Sequence, residues 1–283
     1  MVSADGNCVV IFNGEIYNYI EIRENLVKKG YRFKTASDTE VLLNAFIEYG
    51  IGCLEKFIGM FAFAIHDKKA NTTYIVRDRL GIKPLYYSSD EEAFCFASEI
   101  KSLLALTQKK ELNTDALSSY LSFRYPILDD TFFKGIYSLP PAHYIKITAN
   151  KREFVEYWSL KESFLQQRED KGEEYYKERV RNLLESSVVY RMRSDVEFGA
   201  FLSGGVDSSV ITALMAKNTT KPIRTFTIGF EEDGFNEFAY AKMVARRYAT
   251  NHTEILLSGE NYIETMQELI AVSYTHLTLP TKA

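Results

Sequence analysis

Ser203-Gly204-Gly205-Val206-Asp207-Ser208-Ser209 is the run of this sequence most suited to chemistry. Before it, Gly199 to Leu202 is small and apolar, as an interior parallel strand should be. After it, Val210, Ile211, Ala213, Leu214 and Met215 continue as a helix, which Ser208 and Ser209 are expected to cap. A glycine turn between strand and helix exposes backbone N–H groups beside the positive end of a helix dipole, roughly half an elementary charge. Such a turn binds an anion, and phosphate is the usual one. A carboxylate inside a phosphate loop would be repulsive alone, so Asp207 is expected to face a Mg²⁺ that bridges the phosphates. The bland alternative is a turn that needs glycine only for its dihedrals. It requires Ser, Gly, Gly, Asp and Ser to coincide.

No Gly-Lys-Ser/Thr follows, so this is not a Walker A loop, and the spacing is not that of a dinucleotide fingerprint. Ser-Gly-Gly-x-Asp-Ser resembles instead the pyrophosphate loop of the ATP pyrophosphatase family, whose members cleave ATP between the α and β phosphates.

The elements around the loop alternate. A long amphipathic helix is expected over 173–193, with Val180, Leu183, Leu184 and Val188 on one face. Strands follow at 223–228 and 254–257, with a helix at 237–248 between them. This order predicts a parallel, Rossmann-like sheet with its ligand at the carboxyl ends of the strands, where Ser203 falls. Residues 161–172 are charged, weakly patterned and read as a linker.

The first half reads as α+β with antiparallel hairpins. Cys8 to Phe12 is a strand, after which Asn13-Gly14-Glu15 is expected to turn the chain. A helix at 20–29 should put Ile22, Leu26 and Val27 inward and stop at Gly30. Ser37-Asp38-Thr39-Glu40 reads as a capping box ahead of a helix at 41–49. Strands at 60–65 and 73–76, and at 85–87 and 93–97, form two hairpins, with helices at 99–106 and 114–121 and a late strand at 144–147.

The whole chain has 283 residues, a 46% hydrophobic fraction and a net charge of −4. That allows about two domains and gives no electrostatic case for nucleic acid or an anionic membrane. The start lacks a basic region followed by an apolar one, and no run is apolar enough to span a bilayer. Three widely spaced cysteines, Cys8, Cys53 and Cys95, make neither a disulfide framework nor a zinc pattern. A cytoplasmic enzyme is expected.

A second set of residues carries chemistry: Phe12-Asn-Gly-Glu-Ile-Tyr-Asn18, then Ser37-Asp-Thr-Glu40, then Arg77-Asp-Arg-Leu-Gly-Ile-Lys-Pro-Leu-Tyr-Tyr87. In this order, with the phosphate loop behind them, they resemble the glutamine-dependent asparagine synthetases. The resemblance runs from about Gly6 to about Ile270. It implies a glutaminase domain of the N-terminal-nucleophile class (an αββα sandwich) over 1–160, incomplete, and a Rossmann-like pyrophosphate-loop domain over 173–271, also incomplete. The first would release ammonia from glutamine. The second would make β-aspartyl-AMP from ATP and aspartate, which the ammonia attacks to give asparagine. ATP and Mg²⁺ are the implied cofactors, and a homodimer of the intact enzyme the implied assembly.

Carried over by motif, Asn13 (side-chain amide) and Gly14 (backbone N–H) form the oxyanion hole for the glutamine amide. Losing one such donor typically costs on the order of a hundred- to a thousandfold in rate. Glu15 falls within the glutamine-binding motif, and Asp38 would hold the substrate's α-ammonium; as a helix-capping residue it needs no such role. Leu202, Ser203, Gly204, Gly205, Asp207, Ser208 and Ser209 match the ATP site. Ile228 would offer adenine backbone hydrogen bonds and an apolar face, or be plain core. The Arg77–Tyr87 run reads as structural, with its charges in an internal ion-pair network, and Ser98 and Glu99 as helix caps.

The sequence departs from the family at both ends. The family's nucleophile is a cysteine exposed by removal of Met, whereas here Val2 would be exposed. Cys8 lies inside the chain and reads as structural. The Arg-Gly-Pro-Asp and second Ser-Gly-Glu-Gly-Ala-Asp-Glu segments are absent, and residues 272–283 read as a non-native tail. The chain is thus expected to be an inactive portion of a longer enzyme. Three alternatives stay open: a sibling amidotransferase or β-lactam-synthetase-like ligase acting on another carboxylate, a different pyrophosphatase-loop synthetase, and a polypeptide that only binds nucleotide.

Overall fold

The computed structural model describes residues 1–90, 93–107, 111–127, 129–166, 169–230 and 237–257. Two compact units are present, one within Met1–Gln166 and a second from Gln167 onward. In chain order the first holds β1 (Cys8–Ile16), α1 (Tyr19–Lys28), α2 (Asp38–Tyr49), β2 (Gly59–Asp67), β3 (Thr72–Arg77), β4 (Tyr86–Ser89), β5 (Phe94–Ala97), α3 (Ile100–Thr107), α4 (Thr114–Phe123), β6 (Tyr137–Ser138), β7 (His143–Ile147), β8 (Arg152–Glu156) and α5 (Leu160–Leu165). Antiparallel pairing orders the sheets β1-β2-β3-β7-β8 and β5-β4-β6.

The layering follows from β2, Gly-Met-Phe-Ala-Phe-Ala-Ile-His-Asp, whose middle is buried on both faces. Successive side chains alternate across a strand. Phe61, Phe63 and Ile65 therefore join the core made with Ile22 and Leu26 of α1 and Val41, Leu42 and Phe46 of α2. Ala62 and Ala64 face the other way, into the core shared with Leu85, Leu139 and Ile145. Large residues fill the helix side, and alanines let the second sheet approach. With α3 against β4 and β5, the order is helix, sheet, sheet, helix. This is the αββα sandwich that the resemblance implies.

Several local expectations are corrected. Asn13, Gly14 and Glu15 do not turn the chain: β1 runs straight through them and pairs them with Ala62, Phe61 and Met60. Buried apolar residues on both sides of this Asn-Gly override its turn preference. Val27 is exposed, because only Ile22 and Leu26 lie on the face that meets α2. The capping box is half formed. Ser37 accepts from Thr39 N, but Glu40 turns away to accept from Lys34 N, Thr35 N and Thr35 Oγ1 and so pins the preceding loop. The expected linker 161–172 begins inside α5, which Ser159 caps through Glu162 N. The sequence also hid β6 and β8. Tyr137–Ser138 is too short for a pattern, and β8 has only the adjacent Phe154 and Val155 as apolar residues, which shows no alternation.

The second unit contains α6 (Glu173–Arg191), β9 (Gly199–Phe201), α7 (Val206–Lys217), β10 (Arg224–Phe230), α8 (Phe238–Arg247) and β11 (Asn251–Leu257). The sheet is parallel, in the order β11-β10-β9, as the alternation of elements requires. Among the described residues β9 is an edge strand rather than an interior one, and Phe201 is exposed. On α6 only Val188 of the four expected core residues is buried. Val180 and Leu184 line a groove of about 750 Å³ facing Val210 and Leu214 of α7. The expected helix near Asn261 and residues 272–283 lie outside the described residues.

Candidate functional site

Backbone alternation along β1 sets the geometry of the first candidate site. Phe61 donates its N–H to Asp78 Oδ2 (3.2 Å) and accepts at its C=O from Asp78 N (2.8 Å), so both its backbone groups point at β3. Gly14 lies opposite Phe61. It therefore belongs to a pair that is not hydrogen-bonded, and its own N–H points outward from β1, the edge of the sheet. The same parity holds along the strand. Val10 N donates outward to Met1 O (2.9 Å), and Ile16 N donates outward to Asp38 Oδ2 (3.0 Å). Between those anchors, the edge at Phe12 and Gly14 has no backbone partner among the described residues.

Glycine at position 14 is a steric requirement. A Cβ there would meet Met60 O at 2.2 Å and Phe61 Cα at 2.7 Å. Gly59 is in the same situation, with its Cβ position 2.2 Å from Glu15 O. The two glycines let β1 and β2 approach at the site.

Asn13 and Glu15 project from the opposite face to Phe12 and Ile16. Asn13 Nδ2 donates to Ser98 Oγ (3.0 Å), and both residues line a cavity of about 190 Å³ with Phe12, Ala62, Leu85 and Phe96. Ser98 thus holds the Asn13 amide rather than only capping α3, a link across 85 positions that no sequence pattern signals. Asp38 opens α2, where the helix dipole favours a negative charge. Burial nevertheless holds its carboxyl above the ordinary aspartate range, and backbone donors only partly offset that. Burial likewise raises Glu15, opposed by the charge of Lys83 and reinforced by that of Asp38.

Arg77, Asp78 and Arg79 of the Arg77–Tyr87 run are bonded mainly to backbone groups. Asp78, 2% exposed, accepts from Leu80 N and Ile82 N at Oδ1 and from Phe61 N and Lys83 N at Oδ2. Arg77 donates to Lys83 O, Gly81 O and Ser138 Oγ, and Arg79 to Leu54 O and Phe57 O. Cys8 is buried in β1 and accepts Ser3 N at its backbone oxygen, and burial raises its thiol. It has no nucleophile's environment.

The second candidate site is the loop between β9 and α7. Helix α7 starts at Val206, ahead of the expected serine caps, with Gly205 as its N-cap. Ser208 and Ser209 therefore sit inside the first turn, and both hydroxyls donate back to Gly205 O (3.2 and 2.7 Å). Ser203 Oγ lies 3.0 Å from Ser208 Oγ and accepts Gly205 N (3.3 Å). The N–H groups of Val206, Asp207 and Ser208 fall in the turn that has no intrahelical acceptors. Gly204 has φ +81, and a Cβ would meet Tyr240 Cβ at 2.5 Å and Ala241 N at 2.6 Å, so only glycine fits beside α8. Leu202 is buried, donates to Phe226 O (2.8 Å) and accepts from Thr227 Oγ1. Asp207 is exposed beside the loop.

Ile228 is placed by the same alternation. Phe226 O accepts from Leu202 on the β9 side, so two residues on the N–H and C=O of Ile228 also face that side. Strand β9 ends at Phe201, while β10 continues to Phe230. Among the described residues the backbone of Ile228 is thus uncovered next to the glycine loop, and its side chain is 45% exposed rather than core.

Comparison with known proteins adds the following. The family of the glutamine amidotransferase domain matches residues 1–158, and that of asparagine synthase matches residues 179–281. Asparagine synthetase [glutamine-hydrolyzing] 1 of Bacillus subtilis (strain 168) is 40% identical over 262 residues, which is 92% of this chain and 41% of the relative. Asparagine synthetase [glutamine-hydrolyzing] 2 of the same organism is 38% identical over 289 residues, 98% of this chain and 37% of the relative. A putative asparagine synthetase [glutamine-hydrolyzing] 2 of Methanocaldococcus jannaschii is 35% identical over 266 residues, 90% of this chain and 49% of the relative. The chain spans less than half the length of these curated relatives.

Proposed function

This chain belongs to the glutamine amidotransferase domain family through residues 1–158, and on that premise we propose that it is part of an enzyme that makes asparagine from aspartate and ATP with ammonia taken from glutamine. Residues 1–160 are the glutaminase portion and 173–271 the ATP-binding portion. One observation carries the glutamine reading. The outward N–H of Gly14 and the Asp38 carboxylate lie on the same edge of β1. At about 3.3 Å per residue, Gly14 and Ile16 are about 7 Å apart along the strand. That spacing suits a glutamine whose amide oxygen meets Gly14 and whose α-ammonium meets Asp38. The Asn13 side chain adds the second oxyanion donor, held by Ser98.

In the second portion, the free N–H groups of α7 and the hydroxyls of Ser203, Ser208 and Ser209 receive the pyrophosphate of ATP, and the uncovered backbone of Ile228 receives adenine. Of the chain's own carboxylates, Asp207 alone belongs to the loop, and no group of three or more His, Cys, Asp or Glu suited to a metal occurs among the described residues. Asp207 therefore fits Mg²⁺ only as one ligand to an ion that arrives with the nucleotide, where it would neutralise phosphate charge. No helix among the described residues is long and apolar enough to cross a membrane.

Calorimetry with L-glutamine tests the reading. The whole chain should bind glutamine, and Asp38→Asn should abolish binding. Equal binding by the two forms would refute the assignment of Asp38. Mg²⁺–ATP binding that is lost in Asp207→Ala tests the second portion in the same way.

A further inference from the structure

Asn18 closes the Phe12–Asn18 motif and has no role in the reading above. It stands at the N-cap of α1, where an asparagine side chain usually accepts an N–H of the first turn and stabilises the helix. Here it makes no capping bond. Asn18 is buried, and its amide reaches across to the turn ahead of β2. Nδ2 donates to Lys56 O (2.9 Å), and Oδ1 accepts from Ile58 N (2.9 Å). Tyr17 N donates to Ile58 O (2.8 Å), one rung beyond the pairing of Ile16 with Gly59. In a continued ladder a carbonyl of β1 would accept from Ile58 N. The Asn18 side chain takes that place, since an amide offers both an acceptor and a donor, as a peptide group does.

Such a tie matters because no tight turn joins β1 to β2. In a hairpin the turn fixes the register, but here α1 and α2 lie between the two strands. Strand β2 is held from its other side. Asp78 binds Phe61, and Arg79 donates to Leu54 O (2.9 Å) and Phe57 O (2.7 Å) in the approach to the strand. With β2 so held, a slip of β1 by one residue would turn the Gly14 N–H inward, away from the free edge. We infer that Asn18 is a positioning residue of the glutamine site, its side-chain amide standing in for a peptide group to fix the register that leaves the Gly14 N–H on the outer edge of β1. The inference rests on the glutamine reading for its purpose but not for its physics.

The test reads the Gly14 amide by NMR in the whole chain. Asn13-Gly14 is the only Asn-Gly pair in the sequence, so ¹³C-carbonyl asparagine with ¹⁵N-glycine labelling isolates its signal. Asn18→Ser and Asn18→Asp both keep a good helix cap. Serine is too short to span both partners. In Asn18→Ser the Gly14 signal should move, and glutamine affinity at neutral pH should fall about tenfold or more, the equivalent of one lost buried hydrogen bond. Asn18→Asp should do the same at neutral pH, because a carboxylate has no donor for Lys56 O. On acidification its carboxyl regains an O–H, and the Gly14 signal should return toward that of the wild type at the same pH. A Gly14 signal unmoved in either variant at neutral pH, moved without loss of glutamine affinity, or not recovered by Asn18→Asp on acidification overturns the inference. Should neither variant fold, hydrogen exchange in the wild type decides. The Ile58 amide must exchange more slowly than that of Gly14, and equal exchange overturns the inference. A wild-type chain that binds no glutamine would refute the glutamine reading, while the Gly14 signal would still decide the register.

Discussion

Phe61 gives both of its backbone hydrogen bonds to Asp78, and so leaves Gly14, its neighbour across the strands, with an N–H that faces outward. The candidate oxyanion donor is thus set from the far side of β2. Asp78→Asn tests the dependence. An amide has one oxygen for four donors, and its NH₂ would point at two of them. Each buried donor left unsatisfied costs about 1–3 kcal/mol, so urea unfolding should report a loss of about 2–6 kcal/mol for the first unit. Glutamine binding should fall with it. A stability equal to wild type would mean that Asp78 does not hold Phe61 in solution.

Gly14→Ala should act through packing as well as through dihedral preference. The added carbon meets backbone atoms of Met60 and Phe61 that have no rotamer to change. The strands must separate, an overpacking cost of about 1–3 kcal/mol. Thermal unfolding and calorimetry should show lower stability together with lost glutamine binding. Gly6→Ala is the control. It also has positive φ, but nothing lies within 4 Å of its Cβ position. It should lose stability only through backbone strain and bind normally.

Both units were legible where chemistry and periodicity coincide. The phosphate loop, the parallel order around it and the two antiparallel hairpins follow from local patterns. What stayed hidden depends on partners distant in sequence. Asn13-Gly14-Glu15 has the composition of a turn, and only pairing with residues 59–62 makes it a strand. Glu40 has capping-box spacing, but the loop at Lys34 and Thr35 competes for its carboxylate. Ser98 was unreadable as a site residue because its partner, Asn13, comes from β1, whose path through the motif was itself unforeseen. Ile228 became informative only once β9 was seen to end before β10.

Asp38 should show opposite effects on binding and stability. Its carboxyl is held above the ordinary aspartate value of 3.8 by burial. Between the unfolded and folded values the folded chain binds more protons, so this group's contribution to stability is greatest at low pH and is lost as pH rises through the folded value. Glutamine binding needs the ionised form and should run the other way, weakening on acidification at a higher pH than an ordinary aspartate would give. Asp38→Asn keeps an oxygen to accept Ile16 N–H. At neutral pH it should match or slightly exceed the wild type in thermal stability while losing glutamine affinity. A variant that loses both would make Asp38 a structural cap.

Ile228→Pro separates an adenine-binding backbone from an ordinary strand. Proline removes an N–H, and its effect depends on where that N–H points. At Ile228 it faces the side that β9 has left, so the ladder with β11 is not used. At Thr227 the N–H faces β11, and its loss leaves a ladder acceptor unsatisfied at about 1–3 kcal/mol. Thr227→Pro should therefore lower the unfolding midpoint of the second unit markedly, and Ile228→Pro only slightly. If the Ile228 N–H meets adenine, Ile228→Pro should weaken ATP binding while leaving inorganic pyrophosphate binding at the glycine loop unchanged. Equal losses for both ligands would show instead that the substitution distorts the loop from Ser203 to Ser209, and the adenine assignment would fail.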